Sequence, residues 1–142
     1  MKLSLVATIT AIALAGPAFA QDVAKGKKEF RKCKACHAIT APDGTSIVKG
    51  GKVGPNLYNV VGRPVASVEG FRYKDGIKEL AETGAVWTEA DIAEYMTDPS
   101  TYLEEKTGDP KAKSGMTWKQ KKDQADIAAY LASPEVSPGE AS

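Results

Sequence analysis

The chain has 142 residues, 42% of them hydrophobic, with 19 basic and 18 acidic side chains and a formal net charge of +1. That is the length of one domain, and near neutrality argues against a nucleic-acid binder. Two cysteines and one histidine leave a four-ligand structural zinc site without its second pair of ligands.

In chain order, residues 1–20, "MKLSLVATITAIALAGPAFA", read as a cleaved secretory signal. Lys2 supplies a positive start, an apolar run follows, and Ala18-Phe19-Ala20 has the small-x-small form of a cleavage site. The apolar run is too short for a spanning helix, so an exported, soluble chain starting at Gln21 is expected, in the periplasm if the source is Gram-negative. "DVAKGKKEFRKC" then places Val23, Phe30 and Cys33 near one side of a helix. Gly26 inside that helix costs up to about 1 kcal/mol against alanine, which close approach of another helix would offset. "GGKVGPN" reads as a loop, and a short helix is expected over 74–82. Thr88 and Asp91 form a capping pattern for a helix that stops at Pro99. "TGDPKAKSG" reads as a loop. "ADIAAYLAS" carries Ile127, Tyr130 and Leu131 at i, i+3 and i+4, a last amphipathic helix that crosses the first at Gly26. Strand signals are nearly absent. The polar, proline-rich residues 133–142 read as a disordered tail, leaving 21–132 as the domain.

All cysteine and histidine sits in "CKACH", Cys33 to His37. A redox-active disulfide belongs between a strand and a helix, but the segment before Cys33 looks helical. Haem attachment uses all three residues. Two thiols separated by two residues match the two vinyl groups along one macrocycle edge, and the next residue can ligate the iron. Cys-x-x-Cys-His is read as c-type haem attachment, with the disulfide as the remaining competitor.

Seven segments in order then carry a family likeness: "GKKEFRKCKACH", "KVGPNLYNVVGR", "GFRYKDG", Trp87, "EYMTDPSTYL", "SGMTW" and "ADIAAYL". Together they resemble the class I cytochromes c, in the soluble bacterial c-two subfamily close to the mitochondrial proteins. The resemblance implies an all-α cytochrome c fold, with three main helices plus short helices and long loops around one covalent haem c. It implies thioethers at Cys33 and Cys36, axial ligands His37 and Met116, and a Pro55 carbonyl that accepts the free N–H of His37. It further implies haem-propionate contacts at Arg63, Tyr73 and Trp87, and a Tyr95 hydroxyl near the methionine sulfur. Three departures are expected to matter. Lys113 is read as replacing a threonine hydroxyl ahead of Met116, Ile77 replaces an asparagine, and Trp118 stands for a phenylalanine near the exposed haem edge.

The ligand set can also be weighed directly. With one histidine, bis-His ligation within the chain is excluded. Met96 lies in a helical pattern beside Tyr95, where methionine more often fills a core, whereas Met116 ends a loop. His/Met ligation raises the reduction potential. Two axial ligands leave no vacant iron position, so an electron carrier rather than an enzyme is expected. The competing reading is a haem protein with a weak Met116 bond that admits peroxide or nitric oxide, motivated by the long ligand loop and Lys113. A haem-free redox or binding domain is the third.

Charge is unevenly spread. Positions 25–52 hold eight basic and two acidic residues, 69–109 hold four and eleven, and 111–122 hold five lysines and no acid. The resemblance puts both basic segments around the exposed haem edge. Lys32, Lys34, Lys49, Lys52, Lys113, Lys119, Lys121 and Lys122 would then form a docking ring for acidic partners. By the same resemblance the donor is a cytochrome bc1 complex. The acceptor is cytochrome c oxidase, a photosynthetic reaction centre, or a periplasmic reductase or peroxidase. Contacts with these membrane complexes would be transient and the carrier monomeric.

Overall fold

A computed structural model describes residues 21–139, so the expected signal segment lies outside the described residues. The fold is mostly helical. Helix α1 (Val23–Glu29) runs into a 3-10 turn at Phe30–Lys32, followed by α2 (Asp75–Glu82), α3 (Glu89–Thr97), α4 (Pro99–Thr107) and α5 (Gln124–Ala132). A small antiparallel hairpin pairs β1 (Ile39–Thr40) with β2 (Ser46–Val48). Among the described residues no helix is long and apolar enough to cross a membrane.

The ends of these elements follow from local chemistry. Asp22 caps α1 by accepting the Lys25 N–H at 2.9 Å. Thr88 caps α3 as its pattern predicts: its hydroxyl accepts the Asp91 N–H at 3.1 Å and donates to the Asp91 carboxylate at 2.6 Å. Pro99 does end α3, but it also opens α4, a helix absent from the elements read in the sequence. Asp98 caps α4, and proline is well suited to a first helical position because its missing N–H would be unpaired there anyway. Gly108, at φ 77°, closes that helix.

Helices α1 and α5 cross tightly at Gly26. A Cβ there would lie 1.8 Å from the Asp126 carbonyl oxygen, so only glycine allows this approach. Phe30 meets Tyr130 edge-on at 5.6 Å, and both are buried with Ile127 and Leu131. Helix α3 packs on α5, and α4 packs on α2 and α3. On that side Trp87, Tyr95 and Tyr102 form an aromatic cluster with centroids 5.1–6.1 Å apart.

The expected tail departs from its composition. Residues 133–139 turn back onto the body, and Val136 is fully buried. Its carbonyl accepts the Asn59 N–H at 2.7 Å, and the Ser137 hydroxyl accepts the Val61 N–H at 3.3 Å. An apolar side chain anchors this polar stretch, a signal that average composition conceals.

Candidate functional site

The CKACH segment continues the turn that ends the first helix. The N–H groups of Cys36 and His37 both donate to the Cys33 carbonyl, at 3.1 and 3.0 Å. This compact turn keeps the two thiols and the imidazole together. Both cysteines are free, Cys33 half-buried and Cys36 exposed. Burial pushes the Cys33 thiol up to about 11, so the site suits a neutral sulfur rather than a thiolate.

The loop of residues 49–57 wraps this turn, and its glycines allow it. A Cβ at Gly50 would sit 1.9 Å from the His37 carbonyl oxygen, and one at Gly51 would sit 2.2 Å from that of Ala35. The Gly51 N–H donates to Lys34 O at 2.9 Å, and the Gly54 N–H to Cys36 O at 2.8 Å. At Gly54 a Cβ would meet the imidazole of His37 itself, 2.2 Å from Cε1. Next along, the Pro55 carbonyl accepts from His37 Nδ1 at 2.8 Å. That bond fixes the tautomer with the proton on Nδ1 and leaves the Nε2 lone pair available. Burial lowers the His37 pKa, and the Pro55 bond opposes the shift, so the ring is held neutral as metal ligation requires. Asn56 locks the loop to β1 by exchanging side-chain hydrogen bonds with Thr40, at 3.0 and 2.7 Å.

Met116 is partly buried against the core, as are Cys33, Leu57, Ile77 and Tyr95. Its loop is set by Ser114. The Ser114 hydroxyl accepts the Met116 N–H at 2.9 Å and shares a 2.5 Å hydrogen bond with the Tyr95 hydroxyl. Ser114 itself donates its N–H to the Ser100 hydroxyl at the start of α4. The position two residues before Met116 is thus Ser114, not Lys113, and the hydroxyl read as lost at Lys113 is present. Lys113 instead pairs with Glu104 on α4. Gly76 lets the loop lie close to α2, since a Cβ there would stand 2.7 Å from the Lys113 nitrogen.

Arg63 gives a test of fit for the implied haem. Its Nη1 donates to the Tyr58 carbonyl at 2.8 Å, while its buried Nε has no partner. Burial lowers its pKa, and among the described residues no carboxylate pairs with it. A partly buried guanidinium without a counter-anion carries a desolvation cost, so this site suits an acid from outside the chain, as a haem propionate would provide. Arg63 also lines a cavity of about 390 Å³ with Tyr58, Asn59 and Val68. A second cavity, of about 450 Å³, runs beside Gly51, Gly54 and Phe71 and shares Thr40, Asn56 and Val68 with the first. Tyr73 accepts the Val68 N–H at 3.1 Å, and Trp87 is buried with its main chain tied to Gly62 and Arg63. The donor set of neutral histidine, thioether, thiols and a partly buried guanidinium without a carboxylate partner therefore fits a haem.

The expected docking lysines are all exposed. Lys32 pairs with Glu29 at 2.5 Å, Lys119 with Asp98 at 2.6 Å, and Lys113 with Glu104. Trp118 is 53% exposed, its indole N–H donating to the buried Gln120 at 2.9 Å. Ser114, the three glycines and Gln120 were not read as site residues from the sequence. Only the hydroxyl of "SGMTW" and the glycine spacing of "GGKVGPN" could have pointed to them.

No known family model matches the chain. Curated relatives do. Cytochrome c-550 of Paracoccus versutus is 63% identical over 136 residues, covering 93% of this chain and 88% of the relative. Cytochrome c2 of Rhodobacter capsulatus is 59% identical over 134 residues, covering 94% and 98%. The X-ray structure of ferric cytochrome c-550 from Paracoccus versutus superposes with a TM-score of 0.79 at 64% identity, over 82% of this chain and 98% of that one.

Proposed function

The chain belongs to the class I cytochromes c of the bacterial c2 and c-550 type, which carry one covalent haem c and transfer electrons, and from that membership we propose a periplasmic one-electron shuttle. The haem supplies the one-electron couple of its iron. Cys33 and Cys36 would hold it through thioethers, and His37 and Met116 would ligate its iron. The observation that carries this reading is the 2.8 Å bond from His37 Nδ1 to the Pro55 carbonyl, which presents Nε2 as the free nitrogen of the only imidazole.

The remaining residues do electrostatic and positioning work. Ser114 and Tyr95 orient the Met116 loop. Arg63, with Tyr73 and Trp87, receives the propionates, and its positive charge favours the reduced state. A neutral imidazole and a neutral thioether raise the potential relative to two imidazoles. With His37 and Met116 both ligating the iron, the chain would leave no position open for a substrate, which suits a carrier.

Its donor is a cytochrome bc1 complex. Its acceptor is cytochrome c oxidase, a reaction centre, or a periplasmic reductase or peroxidase, each met transiently by a monomer through the exposed lysine face. The test mixes the oxidised holoprotein with membranes that contain bc1 complex and a quinol. Reduction by one electron per chain, blocked by a bc1 inhibitor, is the expected result. Failure to be reduced would remove the assigned donor.

A further inference from the structure

The tail and Arg63 meet at one peptide plane. The peptide joining Tyr58 to Asn59 is held from both sides. Its carbonyl accepts Arg63 Nη1 at 2.8 Å, and its N–H donates to the Val136 carbonyl at 2.7 Å. The hydrogen bonds thus run in series from Val136 through the 58–59 peptide to the guanidinium, and such chains polarise one another. We propose that residues 133–139 form a strap that positions Arg63 for the haem carboxylates by pinning this peptide.

The strap is built for that purpose at several points. Ser133 leaves helical geometry at the end of α5, and Pro134 prevents the helix from continuing. The Ser133 carbonyl then accepts the N–H groups of both Val136 and Ser137, at 3.0 and 2.8 Å, which turns the chain back. Val136 is the anchor, with no exposed surface. Glu135 pairs with Lys27 on α1 at 2.7 Å, tying the strap to the first helix. Beyond the anchor, the Ser137 hydroxyl accepts the Val61 N–H and the Gly139 N–H donates to the Asn59 side chain at 3.2 Å.

The loop so held turns sharply. Asn59 sits at φ 55°, a left-handed conformation that asparagine adopts more readily than most residues other than glycine. Three hydrogen bonds from the strap bracket that residue and Val61. On its other flank the loop is tied by Gly62 and Arg63 to the main chain of Trp87, at 2.7 and 2.9 Å. Without the strap the Tyr58 carbonyl can rotate away, and the Arg63 guanidinium loses its only protein acceptor among the described residues. The inference rests on the assignment of Arg63 to the propionates, and it adds a residue, Val136, that lines neither cavity.

The test compares full-length holoproteins: wild type, Val136→Gly, Arg63→Gln and the double variant. Two quantities are read, the midpoint potential and the hydrogen-exchange rate of the Asn59 amide. Val136→Gly should speed that exchange by about tenfold or more. It should also lower the potential in the same direction as Arg63→Gln, by less, and have no further effect when Arg63 is already glutamine. If Val136→Gly yields no holoprotein, Val136→Ala is read in the same way with smaller shifts. Faster exchange with an unchanged potential would overturn the positioning role and leave only packing. Unchanged exchange would show that the strap does not pin the peptide. An unchanged potential in Arg63→Gln would instead sink the propionate assignment, and the strap's role with it.

Discussion

A Cβ at position 54 would stand 2.2 Å from Cε1 of His37 and 2.6 Å from Nδ1, far inside contact distance. The ring cannot yield without giving up the Pro55 carbonyl. Gly54→Ala should therefore lower unfolding stability by about 1–3 kcal/mol, the range for overpacking, and disturb the ferric spectrum as well. Denaturant titration of the holoprotein checks the first effect and absorption the second. Asp126 carries a prediction about pH. The Asp22 N–H and the Lys25 ammonium hold its carboxyl below the usual carboxylate range. A depressed pKa means that its stabilisation is present above the ordinary value of about 3.9 and is lost as pH falls through the folded value. The contact between α1 and α5 should thus loosen below about pH 4, as followed by circular dichroism. Asp126→Asn should flatten that acid limb and be less stable than wild type at neutral pH.

Among the elements, the crossing of α1 and α5 turns on Gly26. Backbone, rather than a movable side chain, stands 1.8 Å from where its Cβ would be. Gly26→Ala should cost about 1–3 kcal/mol or more by forcing the helices apart, despite alanine's better helix propensity. A gain in thermal stability would contradict the crossing. This contact was legible in the sequence, because a glycine within a helical pattern needs a reason. So was the Thr88–Asp91 cap, where the spacing of hydroxyl and carboxylate marks a helix start. Helix α4 was not legible, since Pro99 reads equally as a stop and as a first residue. Nor was the hairpin, whose strands of two and three residues are too short to show alternation. The glycine cradle around His37 and the hydroxyl link through Ser114 depend on which segments meet in space. Val136 escaped notice for the same reason.

At the level of the whole chain, the proposed lysine docking face would make charge govern the approach to partners. The basic runs at 25–52 and 111–122 flank an acidic middle, so the chain is nearly neutral yet strongly polarised. Exposed lysines speed encounter with acidic surfaces, and salt screens that attraction over about 8 Å at physiological ionic strength. Raising ionic strength should slow the second-order rate of electron transfer to the partner, and a salt-independent rate would contradict steering. The lysines should not contribute equally. Lys32, Lys113 and Lys119 are partly neutralised by Glu29, Glu104 and Asp98. Replacing Lys34, Lys52 or Lys121 with glutamine should therefore slow association more than replacing these three.

His37 and Met116 are both proposed to ligate the iron, leaving it no position open to outside molecules. The most direct measurement is the absorption spectrum of the wild-type holoprotein, oxidised and then reduced, beside that of Met116→Ala. The account predicts a six-coordinate spectrum in both oxidation states. It also predicts a ferric charge-transfer band of sulfur-bound iron that disappears in Met116→Ala. A five-coordinate wild type, or a band untouched by the substitution, would contradict it and point to a haem open to small ligands.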